Sequence, residues 1–254
     1  MRKKVNHHAE EAASERAAVP VWARPERPRR ERPALSREQI VSTALALADA
    51  EGINAISIRR IATALGVSAM ALYWYIERKE DVLDLMIDAV YGEVLLKPAD
   101  DWRSSLEAFA IQMREMIHRH PWFASLAGHR PAFGPNTLQK TDYLLGVVSQ
   151  LGLDMTTNMN ILELFNAYIF GFVQNEIGEA EEQRRSGLSE EEWQHSMYPY
   201  IQKQVIESGR YPFLAKAILE AQERSPDETF RFGLTRLLEG IASYADAQRA
   251  QNHQ

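Results

Sequence analysis

The sequence predicts an all-α protein, with a three-helix helix-turn-helix domain near its N-terminus and a larger helical domain after it. Apolar residues recur at helical spacing through most of residues 35–254, and strand-like alternation is almost absent. Prolines separate the periodic segments, and residues 58–77 meet the requirements of a helix-turn-helix. The 254 residues are 45% apolar and 25% charged, which suits a globular chain of two domains.

The first region, residues 1–34, predicts a disordered, partly polyproline arm. It is rich in Ala, Glu, Arg and Pro and has no sustained apolar period. Its charge is basic, whereas the whole chain carries a net charge of −6. No segment has the composition of a secretory signal or the roughly 18 apolar residues of a membrane span. We therefore expect a soluble, cytoplasmic protein, which the absence of cysteine fits.

Residues 35–92 predict four helices. The first opens at Ser36 with Gln39 as its capping-box partner, and Gly52 ends it. The second begins at Ser57 and runs to about Leu65. The third runs from about Ser68 to Ile76, and the fourth starts near Lys79. Four apolar positions of the first helix recur at helical spacing and are expected in the core: Ile40, Ala44, Leu47 and Ala48.

The second and third of these helices have the pattern of a helix-turn-helix. Small Ala62 allows the two helices to approach, and Gly66 allows a tight turn between them. Ser68 can cap the helix after the turn. Four apolar side chains fall where the shared core must be filled: Ile61, Leu65, Val67 and Leu72.

Residues 93–254 predict a second, larger set of helices. Prolines delimit these segments, and Pro199 is positioned to split one of them. The predicted ranges are 101–119, 135–151, 154–181, 189–208, 213–223 and 227–250.

The segment from Leu35 to Asp88, and above all its stretch LGVSAMALYWYIERKE, resembles the DNA-binding domain of the TetR family. The stretches HPWFASLAGHRP and LFNAYIFGFVQNEIGE resemble that family's C-terminal domain more loosely, so the resemblance spans about residues 35–250. It implies a homodimeric, ligand-responsive DNA-binding regulator, with 35–92 as the DNA-binding domain and 93–254 as the effector-binding and dimerisation domain.

The second helix of a helix-turn-helix presents its N-terminal half to base edges in the major groove. The candidates for base contact are Ser68, Ala69, Met70, Ala71 and Tyr73. The resemblance places a base-contacting arginine at Arg59, whereas Arg60 fits either DNA contact or a solvated face. Contacts to DNA phosphates are expected from Tyr75, Lys79 and the N-terminus of the fourth helix. We expect Trp74 in the core.

Two further surfaces are predicted with an alternative each. The arginine-rich run Arg24–Arg32 suits entry into a minor groove, or is a solvated extension. The resemblance implies a homodimer through helices near 161–177 and 227–245, both of which are broadly apolar. The alternative is that both helices simply fill the core of a monomer.

The predicted effector site is apolar with a few polar groups, as small-molecule pockets usually are. Each of its apolar residues also suits a plain helix-bundle core. The candidates are Phe109, Met113, His118, Trp122, Leu126, His129, Tyr143, Asn166 and Phe170. In tetracycline-binding members of the family, a histidine before an Arg-Pro pair binds the magnesium of the ligand. Anchored on Arg130-Pro131, that position is Leu126 here, so we expect a bulky, largely apolar effector and no metal or other cofactor.

Other classes of protein fit the sequence less well. An enzyme is disfavoured because the chain lacks HExxH, a glycine-rich phosphate loop and a nucleophile elbow, and His118 and His120 are badly spaced for a metal. An architectural DNA-binding protein without an effector remains an alternative, as does an activator, because the sign of regulation depends on operator position.

Overall fold

The computed structural model describes Trp22 and residues 35–96, 101–127 and 133–252. Every regular element within these ranges is helical, which confirms the predicted all-α class. Apart from Trp22, the predicted arm lies outside the described residues. None of the described helices is both long and apolar enough to cross a membrane.

The chain divides into two compact units, residues 1–162 and 163–254. The first unit contains seven complete helices within the described ranges: α1 (Arg37–Glu51), α2 (Ile58–Ala64), α3 (Ala69–Leu72), α4 (Lys79–Gly92), α5 (Trp102–Arg119), α6 (Trp122–Ala127) and α7 (Pro135–Ser149). Helix α8 (Met155–Ser186) begins in the first unit and continues through the second. The remaining helices belong to the second unit: α9 (Glu190–Ile201), α10 (Pro212–Glu220) and α11 (Pro226–Asn252).

Local signals explain how α1 and α2 begin. The Ser36 hydroxyl accepts the N–H of Gln39, and the Gln39 side chain accepts the N–H of Ser36, which confirms the predicted capping box. The Ser57 hydroxyl accepts the N–H of Arg60 at 3.2 Å and caps α2 as predicted. The four predicted core residues of α1 are all buried: Ile40, Ala44, Leu47 and Ala48.

Helix α3 is shorter than predicted, because it ends at Leu72 instead of Ile76. Tyr73 has φ −63° and ψ −9°, and the N–H of Tyr75 bonds to the carbonyl of Leu72, so the chain tightens into a turn. Leu72 at the end of α3 and Ile76 at the end of this turn are both buried.

Two features of the later helices differ from the predicted pattern. Helix α6 was not predicted, since its six residues are too few to show a helical period. Pro199 lies inside α9 and does not end it; a π-helical turn, Gln202–Ile206, follows α9 instead.

The second unit is held together by an aromatic contact between α8 and α11. The Tyr168 hydroxyl donates to the carbonyl of Phe230 at 2.7 Å, and the rings of Tyr168 and Phe172 both lie within 6.0 Å of the Phe230 ring. The inward stripe of α11 continues through Leu234 and Leu238, which are buried. Helix α10, in contrast, has no buried residue.

Gly66 ends α2 in a left-handed conformation, with φ +67°. The N–H of Val67 bonds to the carbonyl of Ala62 and that of Gly66 to Thr63, which is a Schellman arrangement. We expect Gly66→Ala to lower the free energy of unfolding by about 1–2 kcal/mol, because a Cβ disfavours this conformation.

Gly146→Ala is the matched control in a urea-unfolding experiment. Gly146 lies in mid-helix in α7, and an added Cβ would meet nothing within 4 Å. This substitution should raise the free energy of unfolding by about 0.5–1 kcal/mol. Shifts of the same sign in both variants would contradict the assignment of backbone strain at position 66.

Candidate nucleic-acid interface

Helix α3 presents a largely exposed outer face. Met70 is 70% exposed and Tyr73 45%, and Ser68 is also exposed. Four other predicted DNA-contact residues are half-buried: Ala69, Ala71, Tyr75 and Lys79. The expectation that Trp74 lies in the core is wrong, because it is 57% exposed. Leu72 at the end of α3 and Ile76 after the following turn are both buried, whereas Trp74 between them is directed outward.

The inner face of the motif fixes α3 against α2. Ile61, Ala62 and Leu72 are buried as expected, whereas Leu65 and Val67 are half-buried. The Ser68 hydroxyl caps α3 by accepting the N–H of Ala71 at 3.3 Å. These contacts hold the exposed residues of α3 on a defined surface, as a helix-turn-helix requires.

Arg59 and Arg60 differ in their surroundings although they are neighbours. The Arg60 guanidinium makes two contacts with Glu51 of α1, Nε to Oε2 at 3.2 Å and Nη2 to Oε1 at 2.5 Å. This hydrogen bond lowers the pKa of Glu51 below its ordinary value. Arg59 is exposed, and its guanidinium has no partner among the described residues. The structure therefore leaves Arg59, and not Arg60, available to another molecule.

The start of α4 carries its own internal acceptor. The Asp81 carboxylate accepts the N–H groups of Glu77 and Arg78 at 2.9 and 3.1 Å. These two amides directly precede the first helical residue, Lys79, and are occupied by the chain itself. Lys79, the first residue of α4, remains half-buried at this end.

Helix α7 takes its N-terminal cap from another helix. Its N-cap residue, Gly134, has no side chain, and the buried Asp88 of α4 supplies the acceptor instead. The Asp88 carboxylate accepts the N–H of Thr137 at 2.8 Å, the Thr137 hydroxyl at 2.9 Å and the Asn136 side-chain amide at 3.2 Å. A negative charge here also complements the helix dipole. The contact joins the helix after the helix-turn-helix to a helix of the predicted effector region.

A second polar cluster joins α1 to the end of α5. The buried His120 lies between two carboxylates, with Nδ1 2.8 Å from Asp49 and Nε2 3.0 Å from Glu93. Each ring nitrogen of His120 therefore lies within hydrogen-bonding distance of a carboxylate oxygen. The Trp122 indole N–H donates to the same Asp49 oxygen at 2.7 Å, and Arg119 pairs with Glu93 at 2.9 Å. The helix before the helix-turn-helix is thus tied to α5 and α6.

The predicted effector residues differ in burial and position. Phe109, Met113 and Trp122 are buried, Leu126, Tyr143, Asn166 and Phe170 are half-buried, His118 is exposed, and His129 lies outside the described residues. Phe109 and Met113 share the inward stripe of α5, which packs against α6 and α7. Asn166 and Phe170 belong to the second unit.

Sequence reasoning missed both polar links to the helix-turn-helix. Asp49 and His120 are 71 residues apart, and Asp88 and Thr137 are 49 apart, so no local pattern connects them. The only local signal is Gly134 directly before Pro135, a helix start without its own capping side chain.

Helix α3 is exposed on its outer side, packs against α2 and lies beside Arg59, whose guanidinium has no partner among the described residues. These features define a helix-turn-helix DNA-binding protein with a larger helical region after the motif. Comparison with known families indicates the same class of protein. The family "Bacterial regulatory proteins, tetR family" matches residues 40–86, and "Tetracyclin repressor-like, C-terminal domain" matches residues 96–244. The chain belongs to the TetR family, whose members are DNA-binding transcriptional regulators.

Individual relatives agree with this assignment. The chain is 33% identical over 238 residues to the HTH-type transcriptional repressor DrrR1 of Streptomyces coeruleorubidus, covering 91% of this chain and 87% of that one. It is 26% identical over 214 residues to the class A tetracycline repressor of Escherichia coli, covering 82% and 91%. Apo ActR from Streptomyces coelicolor shares the fold, with a TM-score of 0.73 at 22% identity and coverage of 85% and 99%.

Proposed function

We propose that the protein is a homodimeric cytoplasmic repressor that binds a palindromic operator and leaves it when a small, largely apolar effector binds. The exposed face of α3 beside the unpaired Arg59 is the observation that carries this proposal. In this proposal, residues 35–92 read DNA and residues 93–254 bind the effector and the second copy. The name of DrrR1, a transcriptional repressor, supports repression over activation.

Each proposed DNA contact follows from residue chemistry and exposure. An unpaired guanidinium such as that of Arg59 suits bidentate contact with a guanine edge. Thymine methyl groups can be contacted by the apolar side chains of Met70, Ala69 and Ala71. Hydroxyl groups for hydrogen bonds to DNA are supplied by Ser68 and Tyr73. Tyr75 and Lys79 suit phosphate oxygens, which position a protein on DNA without reading its sequence.

The second unit supports the homodimer. On α8, Leu164 is 52% exposed, and Ala167 and Gly171 follow it on the same exposed face. On α11, Gly240 and Tyr244 are exposed on the side away from the buried stripe. An added Cβ at either glycine would meet nothing within 4 Å, which leaves room for close approach of a partner helix. A C2 pair of these faces would present two reading heads to a palindrome.

The fold also supports a small-molecule effector. ActR, which shares this fold with a TM-score of 0.69, has been crystallised with actinorhodin. In this chain, the buried Phe109 and Met113 offer the apolar lining that such a ligand needs. Leu126 stands where the resemblance would place a magnesium-binding histidine, which favours an effector bound without metal.

The test is selection of genomic fragments by the full-length protein at about 150 mM salt, where non-specific phosphate binding is already weak. We expect one enriched palindrome with half-sites roughly 34–36 Å apart. Arg59→Ala should weaken binding to this site by about 1–3 kcal/mol for each reading head, because a base contact is lost.

Arg60→Ala is the matched control, because it removes the same charge one residue away from a side chain already paired with Glu51. It should change operator affinity much less than Arg59→Ala does. Equal losses in the two variants would show that Arg59 acts only through its charge. Enrichment of no sequence would contradict the proposed function.

A further inference from the structure

The helix-turn-helix domain, residues 35–92, carries more negative than positive charge. It contains five Lys or Arg and eight Asp or Glu, which gives a net charge of −3. Two of its five cations already pair with carboxylates of the same domain: Arg60 with Glu51, and Arg78 with Asp81. At most three cations of the domain are therefore left for DNA, a polyanion whose affinity depends on how many phosphates a protein neutralises.

Helices α1 and α4 share the end of this domain at which α3 lies. Their C-terminal ends meet at His120, which contacts Asp49 of α1 and Glu93 directly after α4. The two helices pack together, so their N-termini lie together at the opposite end. Helix α3 leads through a short turn into the N-terminus of α4 and belongs to this same end. The chain before α1 therefore enters the domain at the end where α3 presents its exposed face.

The described residues at this end do not supply the missing positive charge. Glu38 in the first turn of α1 is exposed, and so are Glu77 and Glu80 around the start of α4. Lys79 lies between two of these carboxylates in the sequence. Exposed carboxylates repel a phosphate backbone, so this end needs cations from another part of the chain to hold DNA at physiological salt.

The residues that directly precede this domain carry the opposite charge. The run from Arg24 to Arg32 contains five arginines and two glutamates, a net charge of +3. Arg32 is four residues before Ser36, the N-cap of α1, so even a fully extended chain keeps their Cα atoms within about 14 Å of each other. Arginine also suits phosphate oxygens, because its planar guanidinium can donate two parallel hydrogen bonds. The run thus brings positive charge to the acidic end of the domain.

We propose that the run Arg24–Arg32 is a second DNA-binding element, which contacts phosphates flanking each half-site and contributes affinity without reading sequence. This inference rests on the proposed operator binding and adds a contact outside residues 35–92. Base reading remains with α3 and Arg59. A homodimer brings two copies of the run to one operator, one beside each reading head.

The test replaces all five arginines of the run with glutamine in the full-length protein: Arg24, Arg27, Arg29, Arg30 and Arg32. Fluorescence anisotropy then measures affinity for the selected operator between about 50 and 200 mM salt. The logarithm of the association constant falls with the logarithm of salt concentration by about 0.9 for each phosphate neutralised. We expect this slope to become shallower by about 3 or more, and affinity at about 150 mM salt to fall tenfold or more. Replacement with lysine should keep most of both, because phosphate contacts require the charge.

The matched control removes five cations outside both DNA-binding regions and changes the net charge by the same amount. Exposed residues of the second unit serve this purpose, each replaced with glutamine: Arg184, Arg185, Lys203, Arg210 and Lys216. This variant should keep the salt slope of the unmodified chain to within about 1. Circular dichroism and thermal unfolding verify that both variants are folded.

A scrambled duplex of the same length and composition separates phosphate contact from base reading. The five-glutamine variant of the run should lose affinity for the operator and for the scrambled duplex by similar factors, whereas Arg59→Ala should lose mainly operator affinity. An unchanged salt slope, an equal loss in the control variant, or a loss confined to the operator would overturn the inference.

The unmodified chain separates this inference from the proposed function. If it binds a selected operator and the variant of the run keeps the same salt slope, only the second DNA-binding element is wrong. If it enriches no operator sequence, the proposed function fails, and this inference fails with it.

Discussion

Replacing Gly134 with alanine should lower the free energy of unfolding by about 2–4 kcal/mol. A Cβ at this position would overlap the Asp88 carboxyl group, which is buried and cannot move without giving up its bonds to Thr137 and Asn136. Either the backbone shifts or the cap of α7 is lost. Urea unfolding followed by far-ultraviolet circular dichroism measures this change.

A double-mutant cycle with Asp88→Ala tests the cause. Asp88→Ala alone should also be destabilising, because the first turn of α7 loses its acceptor. In the double variant the overlap with the carboxyl carbon and oxygen is gone and only the Cβ of residue 88, at 2.6 Å, remains, so the two losses should fall short of their sum by about 1 kcal/mol or more. Strictly additive losses would show that Gly134 is not required by the carboxyl group of Asp88.

The second large effect is expected for His120→Leu, with a loss of about 2–3 kcal/mol in the free energy of unfolding. The substitution removes both ring nitrogens, leaving Asp49 and Glu93 without the donor between them. The two carboxylate side chains are 33% and 36% exposed, so water replaces part of what is lost. Thermal and urea unfolding of the full chain both report the change.

Two comparisons separate this cluster from a general effect of removing a histidine. His195→Leu, at an exposed position, should change stability by no more than about 0.5 kcal/mol. Asp49→Asn keeps an acceptor for the Trp122 indole and should cost less than His120→Leu. If His120→Leu and His195→Leu behave alike, the cluster contributes nothing to stability.

Features set by neighbouring residues were predictable from the sequence. The capping box at Ser36, the Ser57 cap and the turn at Gly66 each depend on residues within five positions of one another. The all-α class followed from helical periods, which extend over many residues. The length of α3 was not predictable, because Leu72 and Ile76 are four residues apart and would share one face of a longer α-helix as well, so the apolar pattern does not mark where α3 ends.

The candidate sites were predictable to different degrees. The exposed Met70 and Tyr73 lie on α3, where the helix-turn-helix pattern and the family resemblance led us to expect a reading surface. The contact of Asp88 with Thr137 could not be predicted from the sequence, because it joins two helices that are distant in sequence.

The cap that Asp88 gives to α7 also constrains how this protein can diverge. Substitutions at positions 88 and 134 depend on each other, because a side chain at 134 is tolerated only where the residue at 88 no longer fills that space. A shorter residue at 88, in turn, removes the acceptor and favours a serine, threonine or aspartate at 134 that caps α7 from its own chain. Aligned relatives should therefore show two alternative pairs, an acidic residue with glycine or a non-capping residue with a local cap, and few mixtures of the two.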